Sequence, residues 1–304
     1  MSQVTKGTPS GDAYLDLQNE ARRTRRQTQE LLQLYVLEGF LARLAASAMR
    51  ERFVLKGGVL LAAFGTRRPT KDVDLAGRDL ANDTTTVREL VRSVLTIEPP
   101  VKDGIDFSAD SATAEVIREE DDYSGVRVHV ETRLASARLP FHVDVNVGDP
   151  IWPEPITVAL PRLRGGEPIK LRGYPIHMVH AEKIVTAVQR GTATTRWRDF
   201  GDVWSLSRRH PINLGDLRHA IDEVARYRNA SLLPFAEVLD GFAPFAQGRW
   251  AQWRRRSNSD HLPEQFGPIL QAVIAFADPV LTGEANGPAW VPEAGPGSGS
   301  ANRR

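Results

Sequence analysis

Residues 53–76 read FVLKGGVLLAAFGTRRPTKDVDLA. The apolar run 53–55 has the length of a short buried strand and ends at Gly57-Gly58. Residues 59–64 then fit a short helix, and 71–76 a second strand. Successive side chains on a strand point to opposite faces, so Asp72 and Asp74 share one face while Val73 and Leu75 take the other. Two adjacent carboxylates stay ionised together at low cost only when a cation sits with them. Hard oxygen ligands at this spacing suit Mg²⁺ or Mn²⁺ carrying a phosphate substrate. Gly57 and Gly58 fit a tight turn, or a backbone that lets N–H groups approach a phosphate at the start of a helix. Lys56 adds a cation beside them.

A second stretch, FHVDVNVGD at 141–149, repeats the alternation. Phe141, Val143, Val145 and Val147 share one face, and His142, Asp144 and Asn146 the other. Asp144 is thus a third carboxylate on the polar side of an otherwise apolar strand. A D-x-D pair alone arises by chance on surface strands. Three carboxylates on adjacent strands can hold two metal ions about 4 Å apart, the geometry of in-line phosphoryl or nucleotidyl displacement.

Bulk properties set the outer limits. The chain has 304 residues, with 39 basic and 38 acidic, so net charge does not point to nucleic acid and only local clusters carry such a reading. It has no cysteine, which excludes a disulfide framework, a thiol nucleophile and a cysteine zinc site, and fits a reducing cytoplasm. No apolar stretch approaches the roughly 20 residues of a membrane span, and the polar N-terminus lacks a signal-peptide core. His177 and His180 have no third ligand and read as structural. There is no G-x-x-x-x-G-K-[ST] and no G-x-S-x-G, which argues against a P-loop NTPase and that class of hydrolase.

Along the chain, 14–50 reads as helix, with a basic face in EARRTRRQTQE. A helix follows at 85–95, capped from Asn82-Asp83-Thr84, and strands at 113–118, 125–133 and 140–147. Residues 149–175, rich in Pro and Gly, read as loops with a short edge strand. Helical patterns then occupy 178–190, 196–209, 215–227, 233–247 and 263–277. The expected class is α+β, a mixed sheet flanked by helices and followed by a helical half. The expected division is 1–170, 171–283, and a disordered Gly/Pro/Ser-rich tail over 284–304.

The ordered set K-G-G-x-x-L, R-x-T-x-D-x-D-L and h-D-h-x-x-G resembles the nucleotidyltransferase superfamily. In particular it is similar to the AbiEii branch, the toxins of type IV-like toxin–antitoxin pairs, and to the related mycobacterial MenT toxins. The first motif is Gly-Gly here, as is typical of that branch. The likeness continues as Ala181-Glu182-Lys183-Ile184, then Arg196-Trp197-Arg198-Asp199-Phe200-Gly201-Asp202, and covers roughly residues 40–210.

The resemblance implies a nucleotidyltransferase fold and a Mg²⁺-dependent transfer of a nucleotide from a nucleoside triphosphate, with release of pyrophosphate. It implies Asp72, Asp74 and Asp144 as metal ligands, Lys183 on the nucleotide phosphates, and Asp202 or Asp199 orienting it or assisting the attacking hydroxyl. Lys56, Gly57, Gly58, Arg68 and Thr70 would bind the triphosphate. It further implies a tRNA 3′ end as acceptor, blocked translation, and a cognate antitoxin encoded nearby. GRWAQWRRR at 248–256 interleaves tryptophan with arginine, a composition able to stack bases and bind phosphates or to end a helix with buried tryptophans. Two other readings keep the same fold: transfer to a protein or small-molecule acceptor, and a non-catalytic RNA-binding module. Retention of all three aspartates speaks against the second.

Overall fold

Seven alternating strands assemble one mixed sheet, and its order places the acidic strand centrally. The computed structural model describes residues 4–99, 101–119, 123–284 and 289–292. The chain forms two compact units, Met1–Pro150 with Glu154–Pro175, and Ile151–Pro153 with Ile176–Arg304.

The first unit opens with helices α1 (Pro9–Thr24) and α2 (Thr28–Ala46). Then come β1 (Phe53–Lys56), the one-turn α3 (Gly57–Leu60), β2 (Asp72–Gly77) and α4 (Thr84–Leu95). The remaining strands are β3 (Ile105–Phe107), β4 (Thr113–Glu119), β5 (Tyr123–Val130), β6 (Thr132–Leu134), β7 (Ala137–Arg138), β8 (Phe141–Val147), β9 (Ile156–Leu160) and β10 (Ile169–Gly173). The main sheet runs β4-β5-β8-β2-β1-β10-β9, and β3-β6-β7 form a small second sheet. β2 pairs antiparallel with β1 and parallel with β8. Val73, Leu75, Val143 and Val145 are fully buried, and α2 packs its apolar side on β10, β6 and α4. As expected, Asp83 caps α4 by accepting a hydrogen bond from the Thr86 N–H at 2.8 Å.

Several local expectations are corrected. The 14–50 helix is two helices, because Arg25 adopts a left-handed conformation (φ 55°) and its N–H returns to the carbonyls of Ala21 and Arg22. The expected strand 125–133 breaks after Val130, and β6 leaves for the second sheet. Residues 149–175 hold the expected short edge strand, β9, and a second strand in place of loop: β10 pairs parallel with β1 and antiparallel with β9. Ile169, Leu171 and Gly173 are buried in alternation with less buried Lys170 and Arg172, a period-two pattern that the surrounding prolines and glycines obscured.

The second unit contains α5 (Ile176–Arg190), α6 (Trp197–Ser207), α7 (Leu214–Tyr227), α8 (Phe235–Val238), α9 (Phe242–Arg256) and α10 (Phe266–Leu281). The expected helix 233–247 is split at Gly241, whose φ of 68° favours glycine. The core is aromatic: Phe235, Phe242, Trp250 and Phe266 are buried, and Phe200 meets Phe266 edge to face at 5.5 Å. His180 is fully buried against Phe276, and burial pushes its pKa down to about 3, so the ring is neutral. The proposed disordered tail is corrected at Trp290. Its N–H donates to the Ile212 carbonyl at 2.7 Å and its Nε1 to the Ser207 carbonyl at 2.8 Å. Residues 285–288 and 293–304 lie outside the described residues.

Candidate active site

The sheet register brings four charged residues into one row. Lys56 on β1 is opposite Asp74 on β2, Asp74 is opposite Asp144 on β8, and Asp144 is opposite Arg127 on β5. Directly opposed residues point to the same face. The row therefore reads plus, minus, minus, plus across four strands. Asp72 joins from two residues along β2. Carboxylate oxygens of Asp72, Asp74 and Asp144 all lie within 4.8 Å of one another, the one such cluster among the described residues.

Each carboxylate is held differently. Asp144 is buried, and both its oxygens take hydrogen bonds from Arg127, Nε to Oδ1 at 2.8 Å and Nη2 to Oδ2 at 2.6 Å. This bidentate fork is the strong form of a charge-assisted pair. Asp72 accepts from the Thr70 hydroxyl at 2.6 Å and the Lys71 N–H at 3.1 Å through Oδ1. The Gly58 N–H donates to Asp74. Lys56, itself buried, pairs with Asp149 at 2.7 Å and lies over the Tyr174 ring.

Asp74 shows the cost of the arrangement. Burial, then the neighbouring charges of Asp72 and Asp144, push its pKa up to about 7, with Lys56 and the Gly58 N–H opposing. Three carboxylates this close repel one another, and a cation held among them would remove that repulsion. The folded pKa exceeds the unfolded one, so the native state binds the extra proton, and the associated stability is present at low pH and lost as pH rises through about 7. Asp74→Asn removes the penalty. In chelator-treated protein it is expected to raise the melting temperature at about pH 8, by about 2–4 °C per kcal/mol relieved, and to change it little at about pH 5. Equal shifts at both pH values in a thermal melt would contradict this electrostatic account.

The Gly-Gly turn sits against the same carboxylate. Gly57 has φ +66°, and a Cβ there would lie 1.8 Å from Asp74 Oδ2. A Cβ on Gly58 would lie 3.1 Å from the Thr70 hydroxyl and 3.2 Å from Arg68 Nη1. Gly58, Arg68 and Thr70 thus converge on one spot beside the acidic cluster. The expected helix 59–64 is only the single turn of α3 followed by a 3₁₀ turn, Leu61–Phe64, so a helix dipole contributes little here. Glycine is required at 57 for the close approach of Asp74.

In the second unit, Lys183 on α5 bridges two aspartates on α6, with Nζ 2.6 Å from Asp199 Oδ1 and 2.8 Å from Asp202 Oδ2. Both aspartates are buried and stand one turn apart. Arg196 lies 3.8 Å from Asp199. His180 is fully buried and His177 half-buried, and burial lowers the pKa of both rings.

The sequence reading missed Arg127, Asp149 and Glu38. Arg127 alternates with buried Val126 and Val128, so its face was readable but its partner was not. Glu38 is buried on α2, accepts from the Leu163 N–H at 2.9 Å, and has its pKa raised by burial. Arg67, whose Nη2 donates to the Pro161 carbonyl, lies 3.9 Å from it.

Two solved structures share this architecture. One is a candidate nucleotidyltransferase from Helicobacter pylori, 16% identical, with a TM-score of 0.51 over 84% of this chain and 96% of that one. The other is JHP933 from Helicobacter pylori, also 16% identical, with a TM-score of 0.52 over 85% and 95%. At that identity they bear on the fold alone. No curated protein matches the sequence. The family described as "Nucleotidyl transferase AbiEii toxin, Type IV TA system" matches residues 39–286, which include all three aspartates, the Gly-Gly turn and Lys183. The chain therefore belongs to the AbiEii family of nucleotidyltransferase toxins.

Proposed function

We propose that this nucleotidyltransferase moves a nucleotide from a nucleoside triphosphate to the 3′ end of tRNA, and that the modified tRNA blocks translation. The observation that carries the reading is the cluster of Asp72, Asp74 and Asp144, with Gly58, Arg68 and Thr70 beside it. The three carboxylates would hold divalent cations, Mg²⁺ or Mn²⁺. Such ions, when bound, neutralise charge on the attacking and leaving oxygens.

The residues of the chain have separate tasks. Arg68, Thr70 and the Gly57-Gly58 backbone bind triphosphate oxygens. Lys56 offsets the negative charge gathered on β2 and β8. The acceptor hydroxyl attacks the α-phosphorus, the bond to the β-phosphate oxygen breaks, and pyrophosphate leaves. Lys183 contacts the polyphosphate, a task suited to a compact cation. Asp202, with Asp199, orients Lys183 and assists the hydroxyl. A cognate antitoxin encoded nearby restrains the activity in the cytoplasm. Among the described residues no helix is long and apolar enough to cross a membrane.

The test is a labelling assay with each nucleoside triphosphate carrying label at the α-phosphate, with Mg²⁺, with and without total tRNA. Label in tRNA supports the proposal and names the nucleotide. Label on protein or on a small molecule overturns the choice of acceptor.

Lys183 provides an internal check. Lys183→Met leaves two buried carboxylates without their shared cation, a loss expected to cost about 3–5 kcal/mol of stability. Nucleotide affinity, measured well below the variant's melting temperature, is expected to fall by about tenfold or more, as for loss of a charge-assisted contact. Unchanged affinity in the folded variant would make Lys183 a structural ion pair only.

A further inference from the structure

Helix α9 reads FAPFAQGRWAQWRRR and contains no acidic residue. Of the two readings its composition allows, the tryptophans follow the one that buries them. Trp250 is fully buried, donates from Nε1 to the Pro263 carbonyl at 3.0 Å and packs on Phe266. Trp253 leans on Trp250, with ring centroids 5.1 Å apart. Arg254 is also occupied, donating to the carbonyls of Leu262 and Asp260 and pairing with the Asp260 carboxylate.

A different set faces outward. Phe245 is 81% exposed, and Arg249, Gln252, Arg255 and Arg256 are exposed with it. Phe245, Arg249, Gln252 and Arg256 follow one another at steps of four, three and four residues, which puts them on one stripe of the helix. Arg249 lies over the Trp197 ring, 5.6 Å from its centroid, and Trp197 in turn stacks on Phe242 at 5.3 Å. Trp197 opens α6, the helix whose first two turns carry Asp199 and Asp202, the partners of Lys183. Arg198 is exposed beside it. Arg249 of the stripe is thus joined through Trp197 to the helix that carries the partners of Lys183.

One exposed phenylalanine needs no explanation. An exposed phenylalanine in line with arginines, on a helix with no acidic residue, beside an arginine-capped tryptophan, matches a polyanion with flat apolar faces. Single-stranded nucleic acid has that chemistry, with phosphates for guanidinium groups and bases for aromatic rings. Aromatic rings and arginines also serve protein interfaces, so an acidic protein partner is the alternative that the test distinguishes.

We propose that the Phe245–Arg249–Arg256 stripe, with Trp197, docks the single-stranded 3′ end of an RNA acceptor and leads it toward the Lys183 triad. The inference rests on transfer to RNA as proposed above. It is tested by fluorescence anisotropy of a labelled single-stranded RNA oligonucleotide and of total tRNA, with the full chain. The double variant Arg249→Glu/Arg256→Glu is expected to weaken binding by more than about tenfold and to lower the salt slope by about 1.4. Phe245→Ala is expected to weaken it by about fivefold or more with the slope unchanged. Lys102→Glu, an exposed change elsewhere, is the control and leaves both unaltered. Melting temperatures check that each variant is folded. Wild-type affinity and slope in the double variant overturn the inference, as does absence of RNA binding by the wild type. Loss of an acidic protein partner with RNA binding intact also overturns it, assigning the stripe to protein. RNA that binds along this stripe but takes no label leaves the docking surface standing and refutes transfer.

Discussion

Asp74→Asn is expected to lower nucleotide transfer by about 1,000-fold or more, equivalent to about 4 kcal/mol of transition-state stabilisation, while the protein becomes no less stable. The two effects share one cause. Asp74 lies against Gly57, under the Gly58 N–H and between Asp72 and Asp144, and its pKa is pushed up to about 7. A site that holds three carboxylates so close destabilises the fold and is proposed above to gain a cation in return. Removing one charge relieves the fold and removes a proposed cation ligand at once. A variant that melts higher and transfers nothing is the signature of a residue kept for chemistry. Asp72→Asn is expected to match it in activity, since Asp72 contributes its carboxylate to the same cluster. The check is transfer to the labelled acceptor beside a thermal melt. Wild-type transfer in either variant would defeat the proposed mechanism.

Gly57→Ala is the second large effect, and here fold and site fail together. The alanine Cβ would stand 1.8 Å from Asp74 Oδ2 and 2.4 Å from its Cγ, so the carboxylate must swing away. The backbone also sits at φ +66°, where a Cβ costs roughly 1–2 kcal/mol before any clash. A displacement of about 1 Å at a reacting site costs about 100-fold in rate. The expected result is at least that loss of transfer, with a fall in melting temperature. Gly58→Ala is the instructive contrast. Its Cβ meets only the side chains of Thr70 and Arg68, at 3.1 and 3.2 Å, and these can give way. A milder loss at Gly58 than at Gly57, read from the same assay, would show that the first glycine serves Asp74. Equal losses would point to a shared demand of the turn.

Much of the site was legible because strands encode faces locally. Period-two alternation in KDVDLA and FHVDVNV was enough to aim Asp72, Asp74 and Asp144 at the polar side of their strands. The glycines and the shared face of Asp199 and Asp202 were similarly readable within a few residues, whereas Lys183 stood out only through the family resemblance. The same local logic found one edge strand at 149–175 but missed β10, where surrounding glycines and prolines outweighed a short alternation. On α9 it left two readings open, and the packing of Trp250 on Phe266 from another helix decides for buried tryptophans.

Only tertiary structure decided which charges face each other. Arg127 and Asp144 are joined by the pairing of β5 with β8, and Lys56 and Asp149 stand 93 residues apart in sequence. The alignment of Lys56, Asp74, Asp144 and Arg127 in one row depends on the register of four strands. Register is fixed by burying Val73, Leu75, Val143 and Val145 together, and a slip of one residue would turn every aspartate to the apolar side. The sequence by itself therefore determined the residue types and the face each presents. The folded sheet determined their partners, because long-range pairing sets distances that no local pattern contains.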